Sequence, residues 1–153
     1  MAAFSVNVAV RWSDMDVYGH VNNARMVTLL EEARTQLLYD EGARHGAGAL
    51  MDGLVVVELQ VRYRRPVFYS AQPVQVRMWV SELRSASFVL DYAVTDISSY
   101  GSDGADAVVA QTRLAPYETV AKRPRRLTVA EREFLSGYRA GDGRVARDGV
   151  RGA

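Results

Sequence analysis

Apolar and polar residues follow two different periods in the first part of the chain. From residue 4 to residue 12 every second residue is apolar, which is typical of a strand with one buried face. A helical period follows, in which one face carries Met26, Leu29, Leu30, Ala33 and Leu37. These patterns predict a strand over residues 4–12 and a long helix over residues 23–41.

Four more strands are predicted after the helix. They cover residues 54–63, 74–83, 86–97 and 107–117. The first of them has apolar residues at alternate positions: Val55, Val57, Leu59, Val61 and Tyr63. Turn-like segments over 84–85 and 98–104 separate the last three, and such short connections favour antiparallel pairing, because a parallel crossover needs about a dozen residues. A doubly wound parallel sheet is therefore disfavoured.

The predicted helices carry residues that are typical of helix ends. Asn22 or Asn23 can cap the start of the long helix, and Gly42 can end it. Thr128 and Glu131 have the spacing of a capping box, which predicts a short second helix up to about residue 138.

Length and composition limit the classes of protein to which the chain can belong. Its 153 residues fit one domain, expected over 1–138, and a flexible tail rich in glycine and arginine is expected over 139–153. The absence of cysteine excludes disulfides and thiolate chemistry. A net charge of +1 gives no overall attraction to nucleic acid or to an anionic membrane. Without a recognisable signal peptide or membrane span, we expect a soluble, cytoplasmic protein.

Candidate catalytic side chains are concentrated directly before the long helix, in the group Asp14, Asp16, His20, Asn22 and Asn23. No sequence motif of a zinc helix, nucleophile elbow, phosphate loop or dinucleotide fold is found. In one interpretation the aspartates shape a loop and the asparagines cap the helix. In the other, a carboxylate acts beside the helix N-terminus, where free amides and the positive end of the dipole can stabilise an oxyanion.

Residues 11–26 contain the string DxDxxGHVNN, and the sequence EEAR follows at 31–34. This segment resembles the signature of the hotdog-fold acyl-CoA thioesterases of the 4-hydroxybenzoyl-CoA thioesterase type. The resemblance extends through residues 61–66 and covers about residues 8–117. It implies an α+β hotdog fold, in which an antiparallel sheet of five to six strands wraps around one long central helix.

The same resemblance implies an activity. The enzyme would hydrolyse an acyl-coenzyme A thioester to a free acid and coenzyme A, with no metal and no organic cofactor. It would work as a homodimer or homotetramer, because relatives join their sheets and place their active sites between subunits. Neither a nucleic acid nor a membrane is expected as a partner.

The resemblance also implies roles for single residues. The second aspartate of the motif is the family's catalytic carboxylate, so Asp16 would act as a nucleophile or as a general base. The backbone amide of Asn23 would polarise the thioester carbonyl, and His20 would orient the loop or a water molecule. Met26 stands where many relatives carry an aromatic residue at the acyl end of the pocket, which leaves the preferred acyl group open.

Several charged residues are further candidates. Near the end of the second strand, three arginines could bind the phosphates of coenzyme A or could be ordinary surface charges: Arg62, Arg64 and Arg65. The basic run 122–126 could lie near the nucleotide or form a solvated connector. Glu31 and Glu32 are candidates because some hotdog thioesterases use a helix glutamate, but both lie off the apolar helical face, which favours solvent. His45 is expected to be exposed.

Two other functions on the same fold are left open. A non-catalytic module could bind acyl-CoA, although the presence of Asp16 and His20 argues against it. A hydratase or dehydratase would use an Asp/His pair in a different motif context. Turnover of a panel of acyl-CoA thioesters, together with water addition to an enoyl-CoA, distinguishes these activities.

Overall fold

The structure, a computed structural model, describes residues 3–96 and 105–140. The predicted turn over 98–104 and residues 141–153 of the predicted tail lie outside this range.

Six strands form one antiparallel sheet. The strands are β1 (Phe4–Val8), β2 (Leu54–Tyr63), β3 (Val74–Leu83), β4 (Phe88–Asp96), β5 (Val108–Glu118) and the short β6 (Arg123–Pro124). Their spatial order is β1-β3-β4-β5-β2, and β6 pairs with β5. Each of these pairs is antiparallel, which confirms the prediction from the short connections.

One long helical segment follows the first strand. Helix α1 (Asn23–Thr35) continues as a π-helical segment (Gln36–Glu41) and ends in the short α2 (Gly42–Arg44). A second helix, α3 (Val129–Ser136), begins with the predicted capping box between Thr128 and Glu131. Short 3-10 helices cover Trp12–Asp14 and Gly48–Asp52.

The core lies between α1 and the inner face of the sheet. The predicted apolar face of the helix is buried at every position: Met26, Leu29, Leu30, Ala33 and Leu37 are at most 2% exposed. The helix packs against β1 and β3. From β5 the inner face contributes Val108, Ala110 and Leu114. Burial of this apolar surface is the main favourable contribution to folding.

The prediction that the first strand extends to Trp12 was wrong. The ladder of β1 runs from the Phe4–Met78 pair to the Val8–Val74 pair, and β3 itself begins at Val74. Beyond that point no strand within residues 3–96 and 105–140 pairs with the chain that follows β1. Trp12 therefore lies in a 3-10 turn and is 79% exposed.

Gly42 does not end the long helix, which also corrects a prediction. Its φ of −57° is helical, and its backbone is buried close to Ala47 and Phe134. The chain turns instead at Gly46, where φ is +83°, a value that favours glycine.

Strand β2 lies at the edge of the sheet and carries a β-bulge. Its register against β5 shifts between Val56 and Glu58, so Val57 is the extra residue. On the C-terminal side of the bulge Tyr63, Val61 and Leu59 face inwards, as the alternation predicts. On the other side Val56 pairs with the buried Leu114 and faces inwards, whereas Val55 pairs with Ala115 on the outer face. The predicted alternation is therefore wrong at Val55 and Val57.

Candidate active site

A cavity of about 350 Å³ lies beside the start of α1. Five parts of the chain form its walls: the loop before α1, the first turn of α1, the end of β2, the segment after β2 and the start of β5. Six of the seven predicted site residues line it: Asp16, His20, Asn23, Met26, Arg64 and Arg65. The seventh, Arg62, pairs with Val109 on the outer side of β2 and is not part of the lining.

A tight turn places Asp16 beside the helix. The Asp16 amide donates a hydrogen bond to the His20 carbonyl at 2.8 Å, and the Gly19 amide donates to the Asp16 carbonyl at 3.2 Å. Gly19 has a φ of +77°, which is strained for most other residues. Met15 and Val21 form an isolated β-bridge at the base of the turn.

The two carboxylate oxygens of Asp16 have different surroundings. Oδ1 accepts hydrogen bonds from the amides of Tyr18 at 2.8 Å and His20 at 3.1 Å. No hydrogen bond to Oδ2 is found within residues 3–96 and 105–140. One oxygen therefore anchors the carboxylate while the other is available to a ligand in the cavity.

Asp14 has a structural role in the same loop. It is only 4% exposed, and its Oδ2 accepts a hydrogen bond from the Arg11 amide at 2.8 Å. Its carbonyl accepts a hydrogen bond from the Asn22 amide, also at 2.8 Å. Asp14 does not line the cavity. The loop-shaping interpretation therefore fits Asp14, whereas Asp16 also lines the cavity.

The first turn of α1 leaves one amide without an acceptor. Asn22 is the N-cap, and its side-chain oxygen accepts hydrogen bonds from the amides of Ala24 at 2.9 Å and Arg25 at 3.3 Å. In the part of the chain that the structure describes, the Asn23 N–H has no hydrogen-bond partner. Asn23 lines the same cavity as Asp16, so this wall of the cavity includes the positive end of the helix.

His20 is held by the segment that follows β2. Its ring packs edge-on against Phe68, with 4.7 Å between the ring centroids. The Val21 amide donates a hydrogen bond to the Val67 carbonyl at 2.7 Å, which fastens the loop to the same segment. Sequence reasoning missed Phe68, because nothing local in the sequence indicates this distant contact.

The cavity lining combines apolar and cationic residues. Met26, which is 2% exposed, lines it together with Val21, Val67 and Val108. Arg64 and Arg65 also line it, and their backbone amides donate hydrogen bonds to the Ala107 carbonyl at 2.9 and 3.2 Å. The Arg65 guanidinium donates to the Ala105 carbonyl at 3.0 Å. This lining suits a ligand that carries both apolar and anionic groups.

The alternative charged candidates lie outside the cavity lining. Glu32 forms an ion pair with Arg11 at 3.1 Å, and Glu31 is exposed on α1. His45 is exposed, as predicted. Its Nε2 lies 3.4 Å from Glu41 Oε2, and its ring stacks on that of Phe134.

The basic run 122–126 also lies outside the cavity lining. Arg123 pairs with Glu118 at 3.1 Å. Arg125 pairs with Glu131, whose side chain is only 1% exposed. The description of the run as a solvated connector is therefore wrong for Arg125.

The described residues hold neither a cluster of metal-ligating side chains nor a membrane-spanning helix. In residues 3–96 and 105–140, no three histidine, aspartate or glutamate side chains converge so as to hold a metal ion. No helix in the same residues combines the length and the apolar character that a membrane crossing needs.

Comparison with known sequences identifies a family. The model of the thioesterase-like superfamily matches residues 10–134. The long-chain acyl-CoA thioesterase FadM of Escherichia coli (strain K12) is 33% identical over 102 residues, which cover 67% of this chain and 76% of FadM.

Solved structures show the same architecture. A thioesterase from Thermus thermophilus, in complex with coenzyme A and Zn, is 28% identical with a TM-score of 0.66, over 88% of this chain and 92% of that protein. A predicted thioesterase from Bacillus stearothermophilus has a TM-score of 0.75 at 18% identity, over 93% and 100% of the two chains. These similarities confirm the predicted hotdog fold, an antiparallel sheet curled around one long helix.

Proposed function

Because the chain belongs to the thioesterase-like superfamily, we propose that it hydrolyses acyl-coenzyme A with Asp16 as the catalytic carboxylate and the Asn23 amide as the oxyanion donor. The family match and the similarity to FadM make the chain a thioester hydrolase. The assignment of residues to steps rests on the site itself.

One juxtaposition supports the assignment above all others. Asp16, whose Oδ2 accepts no hydrogen bond from the described residues, and Asn23, whose N–H donates none to them, line the same cavity. Hydrolysis of a thioester needs a nucleophile or base at the carbonyl carbon and a donor for the negative charge that develops on the carbonyl oxygen. Asp16 supplies the first and the start of α1 supplies the second.

Two routes lead from this arrangement to the same products. In the nucleophilic route, Oδ2 attacks the carbonyl carbon, the C–S bond breaks and coenzyme A leaves as a thiolate that takes up a proton. Water then cleaves the resulting anhydride to the free acid and restores Asp16. In the general-base route, Asp16 takes a proton from water, the water oxygen attacks the carbon, and the proton passes to the leaving sulfur.

The mixed lining of the cavity suggests which parts of the substrate it contacts. Arg64 and Arg65 provide cationic groups for the phosphates of coenzyme A, whereas Met26 lies with other apolar side chains where the acyl group would begin. The Thermus thermophilus relative with coenzyme A bound supports this class of ligand.

The exposed edge of the sheet supports a homodimer. Four apolar residues of β2 are between 38% and 59% exposed: Val55, Val56, Val57 and Leu59. In the described sheet β2 pairs only with β5, so its other side presents unpaired backbone groups. A long apolar edge of this kind is normally covered, and a second copy of the chain would cover it by strand pairing.

Release of free thiol from a panel of acyl-CoA thioesters tests the activity. We expect turnover by the wild-type protein and none above background by Asp16→Asn. A protein that binds acyl-CoA without releasing thiol would instead be a non-catalytic module, and water addition to an enoyl-CoA would indicate a hydratase. Rapid quenching with a radiolabelled acyl group separates the two routes, because only the nucleophilic route leaves label on the protein.

A further inference from the structure

A tyrosine on the edge strand holds the first turn of the helix. Tyr63, the last residue of β2, donates a hydrogen bond from its hydroxyl to the Asn23 carbonyl at 2.5 Å. Both residues line the cavity, although they are 40 positions apart in the sequence. The bond therefore joins the sheet edge to the residue whose amide is the proposed oxyanion donor.

The Tyr63 hydroxyl can donate this bond throughout the neutral pH range, because an ordinary tyrosine is protonated there. Partial burial raises the pKa of Tyr63 further above its ordinary value of 10.0. Tyr63 is 46% exposed and lines the cavity. A change that removes only the hydroxyl would leave the ring in place.

We infer that Tyr63 is a positioning residue, which holds the Asn23 carbonyl and so fixes the first turn of α1 with the Asn23 backbone N–H directed towards the thioester oxygen, an inference that rests on the proposed function. The Asn22 side chain holds the amides of Ala24 and Arg25, and the Tyr63 hydroxyl holds the Asn23 carbonyl. Together these contacts limit the movement of the first turn while leaving the Asn23 N–H free for a ligand.

The size of the effect follows from the precision that a catalytic donor needs. Catalytic groups must be held within about 0.5 Å and 10–20° of their productive position and direction. Removing an oxyanion donor outright lowers kcat by about 10²–10³-fold. Loss of a supporting contact leaves the donor present but less well oriented. We expect Tyr63→Phe to lower kcat by about 10-fold, with KM within about twofold of the wild-type value.

The experiment compares Tyr63→Phe with Tyr69→Phe. Tyr69 is 52% exposed and does not line the cavity, so its substitution should leave kcat unchanged. Hydrogen exchange of the peptide that contains the first turn of α1 is measured in both variants and in the wild type. The inference predicts a lower kcat together with faster exchange in Tyr63→Phe alone.

Two results would overturn the inference. Faster exchange with an unchanged kcat would make the bond merely structural, and an unchanged exchange rate would show that the hydroxyl does not hold the turn. Failure of the proposed function is a separate result, because it would appear as a wild-type protein that releases no thiol from any acyl-CoA.

Discussion

Asp16 and His20 are joined by two hydrogen bonds in opposite directions. The Asp16 amide donates to the His20 carbonyl at 2.8 Å, and the His20 amide donates to Asp16 Oδ1 at 3.1 Å. The carboxylate is therefore fixed by main-chain donors that do not depend on the histidine ring. A neutral amide at position 16 could accept the same bonds, which allows shape and charge to be tested separately.

We predict that Asp16→Asn abolishes turnover in a folded protein. The asparagine oxygen can still accept from the Tyr18 and His20 amides, but the amide group can neither attack carbon nor take a proton from water. The decrease in kcat should be at least the ~10²–10⁴-fold that general acid–base catalysis contributes. Thiol release, thermal unfolding and binding of a non-hydrolysable acyl-CoA analogue are measured together.

Asp14→Asn is the matched control for this prediction. Asp14 is buried and accepts from the Arg11 amide, a bond that asparagine can also accept. We expect kcat within a few-fold of the wild-type value. Near-normal turnover by folded Asp16→Asn would refute the assignment of the catalytic carboxylate.

The two arginines that line the cavity should affect substrate binding more than chemistry. We predict that Arg64→Ala and Arg65→Ala raise KM for acyl-CoA several-fold and leave kcat nearly unchanged, because a contact with the phosphates is the same in the ground state and in the transition state. The effect should shrink at high salt, where exposed charges are screened, and with an acyl thioester that lacks the nucleotide. Steady-state kinetics at two ionic strengths provides the measurement.

Arg62 offers the comparison within the same short segment. Since it lies on the outer side of β2 and outside the cavity lining, Arg62→Ala should change neither KM nor kcat. An equal rise in KM for all three variants would point to a general surface-charge effect instead of specific contacts.

The edge strand yields a prediction about assembly. Sedimentation at micromolar concentration should show a species of at least twice 16.9 kDa. Val57→Lys places a charge on the apolar edge, where Val57 is 59% exposed, and should shift the protein towards the monomer. Val120→Lys, at a residue that is 96% exposed outside the strands, should not. An active, wholly monomeric wild-type protein would contradict the dimer.

Local periodicity was sufficient to predict several elements correctly. The bounds of β2 and β3 agree with the predicted strands, and the apolar face from Met26 to Leu37 is buried as expected. Asn22 was one of the two predicted caps and is the one that forms. In each case the neighbouring residues carry the information, because strand alternation and helix capping are short-range effects.

The incorrect predictions depend on parts of the chain that are distant in sequence. Strand β1 ends at Val8 because its partner begins at Val74, and the bulge at Val57 is defined only against β5. Likewise, the hydrogen bond from Tyr63 to Asn23 requires the sheet edge to return to the helix start. The apolar and polar periods along one segment contain no information about its register against a distant strand or about which distant residues it contacts.

A buried ion pair near the C-terminal helix supports the last prediction. The Arg125 guanidinium donates to both oxygens of Glu131, at 2.7 and 2.8 Å, and the Thr128 amide donates to Glu131 Oε1 at 2.7 Å. Arg125 also donates to the Ala49 carbonyl at 3.2 Å, which ties α3 to the 3-10 turn before β2. Removing the charge of Glu131 would leave a largely buried guanidinium without its counterion.

We predict that Glu131→Gln lowers the free energy of unfolding by about 3 kcal/mol at pH 7, the lower end of the range for breaking one side of a buried pair. Glu133→Gln, an exposed position on the same helix, should change it by less than about 0.5 kcal/mol. Urea unfolding of the wild type and both variants provides the comparison.

The pH dependence of the difference in unfolding free energy between the wild type and Glu131→Gln identifies the cause of that difference. Burial alone would raise the pKa of Glu131, but hydrogen bonds from Arg125 and Thr128 and the charge of Arg125 outweigh it, so the pKa lies below the ordinary 4.5. A lowered folded-state pKa stabilises the protein above the unfolded-state value, and this stabilisation is lost as the pH falls through the folded-state pKa. The difference in unfolding free energy between the wild type and Glu131→Gln should therefore be largest at pH 7 and should decrease progressively below about pH 4.5. A gap of equal size at pH 3.5 and pH 7 would show that shape, and not charge, accounts for the loss of stability.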